Sequence, residues 1–424
     1  MNRNTIFGTL GVGLLLILMA LVSQQEVNSS NSLQASSQIK ESEVNQATTK
    51  IQMSQLADAN NRFGFNLFNR IQSQQPQENI VISPNSIAIA LAMARRGTSK
   101  ETLAEITTAL ELNRLDAANI DASYSELIKT LKNADPNVNL AIANSLWVNR
   151  DITLKQEFIN DAQKFYLAEV NNLDFATPQA ADIINDWVAK NTADKIPQIV
   201  DSLSPEDALY LINAIYFKGS WSNQFDPEAT TQAPFYTEPN SPQPHQMMNQ
   251  TGDYRYYENE QFQAVKIPYG KNQELGMYIF LPQETNDLET FNQQLNINNW
   301  QEWLAKMRSR KGNITIPRFE LEYETELQDV LSALGIKLIF NSAQADFSAM
   351  TDASVAIDNV KHKTFIEVNE EGTEAAAVTS IGIRVTSVEP EDIPFNMNVN
   401  RPFFFAIGDD ITNSILFMGN VVEP

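Results

Sequence analysis

The strongest constraint on the fold is a series of strand-length apolar runs that recurs after residue 50 to the end of the sequence without a long Gly, Pro or Ser linker. Val138 to Val148, Ala208 to Phe217, Met277 to Leu281, Ile314 to Phe319, Thr364 to Val368, Phe403 to Ile407 and Ile415 to Met418 are predicted as strands. Such runs suit strands covered on both faces, so the expected fold class is α+β, with large central sheets flanked by helices. From Ser54 to Ile71, Leu56, Phe63, Leu67 and Ile71 fall on one face at helical spacing and predict an amphipathic helix. Ser83 and Pro84 read as the N-cap and first residue of another helix that ends near Gly97, and Thr98 with Glu101 reads as a capping box for the next.

The N-terminus has a different character. Arg3 precedes an apolar stretch from Ile6 to Val22, the layout of a signal peptide, with a retained membrane anchor as the alternative for residues 1–23. Residues 24–50, rich in Ser, Gln, Asn and Thr, read as a flexible polar segment, and residues 51–424 as the folded domain. Export to a secreted, periplasmic or cell-surface location is therefore expected, with tethering through residues 6–22 if the segment is kept.

Charge and residue usage exclude several functions. A formal net charge of -22 repels phosphate backbones, so no nucleic-acid partner is expected. There is no cysteine, and with only His245 and His362 a tetrahedral metal site is not expected. No cofactor is expected either. The sequence has no G-x-S-x-G elbow, H-E-x-x-H, Walker lysine loop or G-x-G-x-x-G after a strand, so it reads as a non-enzyme. Ser83 with His362 as base is the one nucleophile pair worth stating, and the helix cap accounts for the serine more simply. Glu370 and Glu371, if on a strand, point to opposite faces and cannot share a substrate. Asn213, inside an apolar run, must find partners, which predicts a polar cluster in the core.

Residues 370–394 combine a strand pattern with an exposed-loop ending. Thr373, Ala375, Ala377, Thr379, Ile381, Ile383 and Val385 occupy one register; Glu374, Ser380, Gly382, Arg384 and Thr386 occupy the other. No proline interrupts Lys361 to Glu389, so every N–H there can join a ladder, whereas Ser387 to Pro394 carries three acids and two prolines. From the pattern alone, an ordinary sheet strand and a displayed loop both remain open.

Five segments bear on that choice. Asn79 to Ile87 (NIVISPNSI), Asn213 to Trp221 (NAIYFKGSW), Asp346 to Met350 (DFSAM), Phe365 to Ala377 (FIEVNEEGTEAAA) and Ile415 to Pro424 (ILFMGNVVEP) together resemble the serpins, inhibitory type, in that family's order. The resemblance implies the serpin fold, with a large central mainly antiparallel sheet and a reactive-centre loop. It also implies a monomeric suicide inhibitor of a serine protease, whose loop is cut, traps the acyl-enzyme and inserts into the main sheet. Its residue-level implications are a loop hinge at Glu370, Glu371, Gly372, Thr373, Glu374, Ala375, Ala376 and Ala377, and a sheet-opening gate at Ser83, Ser86, Asn213, His362, Trp221 and Arg318, with a Glu370–Arg318 ion pair. Small side chains at 373 and 375–377 suit entry between packed strands. Family spacing places the reactive bond at Thr386–Ser387, with Arg384–Val385 as rival and a count from the C-terminal side landing near Glu391. The first implies an elastase-like or subtilisin-like target, the second a trypsin-like one. A non-inhibitory serpin, acting as carrier or chaperone, is the alternative function.

Overall fold

A computed structural model of the chain describes residues 50–238, 241–373 and 393–424. The leader and nearly all of the polar segment lie outside the described residues, as do Glu374, Ala375, Ala376, Ala377, Arg384, Val385, Thr386, Ser387 and Glu391. Met53 to Pro424 forms one compact unit.

The helices are α1 (50–74), α2 (Pro84–Arg96), α3 (Lys100–Ala109), α4 (Ile120–Lys132), α5 (Gln156–Tyr166), α6 (Ala180–Asn191), α7 (Leu288–Asn292), α8 (Ile297–Lys306) and α9 (Gln328–Ala333). The first strands are β1 (Ile80–Ile82), β2 (Val138–Asn149), β3 (Glu169–Leu173), β4 (Leu209–Ser220), β5 (Thr231–Glu238), β6 (Ser241–Glu258), β7 (Phe262–Pro268) and β8 (Leu275–Pro282). They are followed by β9 (Arg308–Pro317), β10 (Phe319–Glu326), β11 (Asn359–Val368), β12 (Gly372–Thr373), β13 (Phe395–Asn398), β14 (Phe403–Asp409) and β15 (Ser414–Val421). A six-stranded sheet runs β10-β11-β12-β4-β2-β3. A nine-stranded sheet runs β1-β15-β14-β8-β7-β6-β9-β13, with β5 on β6.

The apolar run of β4 is continuous because both of its faces are covered. Leu209, Leu211, Ile215 and Phe217 join the main core. Tyr210, Ile212, Ala214 and Tyr216 pack with Ile184 and Val188 of α6 in a second cluster on the other face. Helix α2 touches β2, β4 and β15, so it lies between the sheets. That position explains why it is buried all round, where α1 buries a stripe that includes Leu56, Phe63, Leu67 and Ile71.

Two local expectations fail. Ile314 to Phe319 is not one strand: Arg318 is a corner between β9 in one sheet and β10 in the other. A strand is defined by its neighbours, which apolarity along the chain does not reveal. Thr98 is not a helix cap either. The N-cap of α3 is Ser99, without a side-chain bond, and the Thr98 hydroxyl donates to Arg95 O at 2.7 Å, closing α2 instead. Gly97 does end α2, with an ordinary right-handed φ of -83°; a Cβ there would lie 2.6 Å from the Met350 side chain.

Candidate functional site: the mouth of the six-stranded sheet

Strands β11 and β4 run parallel and are paired from Asn359–Tyr210 to Phe365–Tyr216. Above that point they part, and β12 sits between them. Thr373 pairs with Val368 of β11 and with Gly219 of β4, and Gly372 with Ser220; both pairings are antiparallel. A chain continuing from Thr373 down the seam would thus be antiparallel to both neighbours. It would replace one parallel ladder by two antiparallel ones, which are slightly more stable per residue.

The entry is tightly built. The chain turns between β11 and β12, where Asn369 and Gly372 exchange backbone hydrogen bonds of 2.9 and 3.3 Å. Glu370 and Glu371 lie in this turn, not on a strand as the opposite-face argument supposed. Gly372 has φ +153°, and a Cβ on it would lie 2.1 Å from Gly219 O, so only glycine permits this approach. Thr373 is fully buried, with its hydroxyl 2.6 Å from the Tyr269 hydroxyl. The Tyr269 ring stacks on Trp221 at 4.3 Å between centroids. Trp221 in turn donates its indole N–H to Asn369 O and its backbone N–H to Glu371 O, each at 2.9 Å.

Glu370 is 5% exposed, and its carboxylate meets Arg318 Nη2 at 2.5 Å and Nε at 2.7 Å. The Thr230 hydroxyl also donates to it. Burial pushes the Glu370 carboxyl up, and the bonds from Arg318 and Thr230 together outweigh burial and hold it below the usual carboxylate range. The corner at Arg318, missed as a boundary in the sequence, is what brings this guanidinium to the turn.

Deeper, α2 meets the seam through a neutral cluster. His362 and Asn213 are cross-strand partners on β11 and β4, and Asn144 faces Asn213 from β2. His362 Nε2 accepts from Ser83 N–H at 3.1 Å, so its Nδ1 carries the proton and donates to Asn213 Oδ1 at 2.6 Å. The Asn213 amide donates to Ser86 Oγ at 2.5 Å and Asn144 Oδ1 at 2.6 Å. Ser83 caps α2 through Ser86 N at 3.4 Å. Ser83, Ser86, Asn213 and His362 are at most 1% exposed. Burial pushes the imidazole down to about 3, so it is neutral. The serine hydroxyl is thus a cap, with the histidine bonded to its backbone N–H.

The structure therefore brings Ser83, Ser86, Asn213 and His362 together under the seam, and Glu370, Arg318, Trp221, Gly372 and Thr373 together at its mouth. It adds Asn144, Thr230, Tyr269 and Asn369. Asn144 carried the same signal as Asn213, a polar amide in an apolar strand; Thr230 and Tyr269 carry no local signal because their partners are more than 100 residues away, whereas Asn369 closes a local turn, its Oδ1 accepting from the backbone N–H groups of Glu371 and Gly372.

The family model described as Serpin (serine protease inhibitor) matches residues 58–424. Iripin-2 of Ixodes ricinus is 36% identical over 374 residues, covering 86% of this chain and 93% of its own. Human leukocyte elastase inhibitor is 35% identical over 385 residues, covering 88% and 100%. The solved structure of human thyroxine-binding globulin complexed with thyroxine is 26% identical, with a TM-score of 0.80 over 88% of this chain and 99% of that one. The chain belongs to the serpin family, a family of protease inhibitors and not of enzymes.

Proposed function

We propose that this chain inhibits serine endopeptidases by a suicide mechanism, and the observation that carries the reading is β12 seated between the parted ends of β11 and β4. The protease serine attacks the carbonyl of Thr386, the bond to Ser387 breaks, and the Ser387 amine leaves with the C-terminal piece. The freed loop continues from Thr373 down the seam, carrying the acylated protease with it. Strand addition of this kind is a recognised property of serpins. About 14 positions span roughly 48 Å. Ladder hydrogen bonds of about 1 kcal/mol apiece then supply on the order of 10 kcal/mol to deform the protease.

In this reading Glu370 to Ala377 form the hinge. Ser83, Ser86, Asn213, His362, Trp221 and Arg318 form the gate that yields as β4 leaves β11. Small side chains at Ala375, Ala376 and Ala377 support inhibition, and so does the similarity to a leukocyte elastase inhibitor. The target is an elastase-like or subtilisin-like protease met as a monomer after export; Arg384–Val385 is the rival bond. A carrier function has one supporting observation, the shared fold with thyroxine-binding globulin.

Incubation of the chain with elastase, subtilisin and trypsin, followed by denaturing gels and the mass of the released peptide, separates these readings. A denaturant-stable complex with cleavage after Thr386 is expected. Cleavage with no complex in any reaction would overturn inhibition and leave the carrier.

A further inference from the structure

Two grooves flank the turn at 369–372, and their charges differ. One of about 930 Å³ is lined by Glu320, Glu367, Glu370 and Glu371 against Arg318 and Lys195. The other, of about 870 Å³, opens where β2 begins and β4 ends, and among the described residues it is lined by Lys218 and Lys271 and by no acidic side chain. In a chain with 52 acidic and 30 basic residues this is an unusual local composition. Neither lysine is ion-paired among the described residues. Around them stand neutral hydrogen-bonding groups, among them Asn137, Asn139, Ser222 and Gln224. The carboxylate behind the groove, Asp135, is occupied by the backbone N–H groups of Asn137, Lys271 and Asn272 at 2.8 to 2.9 Å.

The two lysines belong to different sheets. Lys218 is on β4, paired with Asn139 of β2, whereas Lys271 is in the turn between β7 and β8. The groove wall between them, Ser220 to Gln224, is the stretch that holds the turn. Ser220 pairs with Gly372, Trp221 N–H donates to Glu371 O, and the Gln224 amide reaches the same oxygen at 3.5 Å.

We propose that this groove binds a compact ligand carrying several phosphate or sulfate groups, held between Lys218 and Lys271. Tetrahedral oxyanions suit the site because ammonium groups and neutral amide donors surround the space and, among the described residues, no carboxylate lines it. The bound anion ties β4 and β2 to the β7–β8 turn. Opening the seam moves β4 away from β11, so the ligand slows loop insertion. Binding stands on the groove alone; the effect on insertion rests on the function proposed above.

Calorimetric titration of the chain with inorganic tripolyphosphate and with sucrose octasulfate tests the site and separates phosphate from sulfate chemistry, with sucrose as the neutral control. One saturable site is expected. Its Kd rises at least about tenfold in Lys218→Gln and in Lys271→Gln, the loss expected for one charged hydrogen bond. Lys271→Arg retains binding, and unchanged melting temperatures show that the variants fold. Complex formation with the protease slows with the ligand in the parent chain and not in Lys271→Gln. Absence of binding by both anions, or equal binding by the Gln variants, overturns the proposal. Binding with no protease complex under any condition would leave the site standing and remove the inhibitory reading.

Discussion

The two ends of the seam between β11 and β4 are held by different physics. At the mouth, Glu370 and Arg318 form an ion pair whose arginine is 43% exposed, so water and salt reach it. Beneath the sheet, Ser83, Ser86, Asn144, Asn213 and His362 form a buried and neutral hydrogen-bond cluster. The difference teaches that one seam can respond to two separate conditions: ionic strength at the mouth, and protonation of an imidazole below it.

The comparison breaks most severely at Asn213. Asn213→Ala strands His362 Nδ1, Ser86 and Asn144 in a dry site, each costing about 1–3 kcal/mol. A loss on the order of 4 kcal/mol is expected in urea unfolding of the native form; a loss below about 1 kcal/mol would mean that the cluster does not hold the seam.

Acid sharpens it next. His362 sits at about 3 in the fold and about 6.5 in the unfolded chain, so between those values the unfolded chain binds the extra proton and folding weakens as pH falls. The slope approaches about 1.4 kcal/mol per pH unit, on the order of 3 kcal/mol between pH 6.5 and 4. The mouth behaves differently. Glu370 is held below the ordinary carboxylate value, so its contribution is intact above that value and is lost only as pH falls through its lowered pKa. Melting curves of the parent and His362→Gln from pH 7 to 5 should differ in slope, and equal slopes would remove His362 as the cause.

Arg318→Ala leaves a buried carboxylate without its cation, held by the Thr230 hydroxyl and a backbone N–H, and is expected to cost about 1–2 kcal/mol. Because the pair is partly exposed, 1 M salt should narrow the gap between parent and variant, while the Asn213→Ala gap stays constant. The smallest effect belongs to Glu371→Gln. It shares the turn with Glu370, but no hydrogen bond or ion pair engages its side chain among the described residues, so a change within about 0.5 kcal/mol is expected by thermal melting. A larger loss would show that the turn uses both carboxylates.

How much of this the sequence revealed depends on the range of each interaction. Asn213 was readable because an amide within Leu209 to Phe217 must be satisfied wherever that strand lies. The helix at 84–96 was readable because Ser83 and Pro84 act locally. Thr230 and Tyr269 were not, since their roles come from the Glu370 turn and from Thr373, 140 and 104 residues away. Ser241–Glu258 was not proposed as a strand, because its exposed, polar edge segment gives no apolar run, although the structure makes it the longest strand described. The serpin motifs supplied the fold; they did not show that Arg318 is a corner between sheets or that the seam is closed below Phe365.

The place of β15 in the nine-stranded sheet has a consequence for biosynthesis. It lies between β1 and β14, with Ile80 opposite Asn420, a separation of 340 residues. At translation rates of about 5–20 residues per second, β1 waits roughly 20 to 70 seconds for its neighbour to be made. The nascent chain therefore carries an unfinished sheet until β15 has left the ribosome, and its unpaired strand edges are open to aggregation throughout that interval.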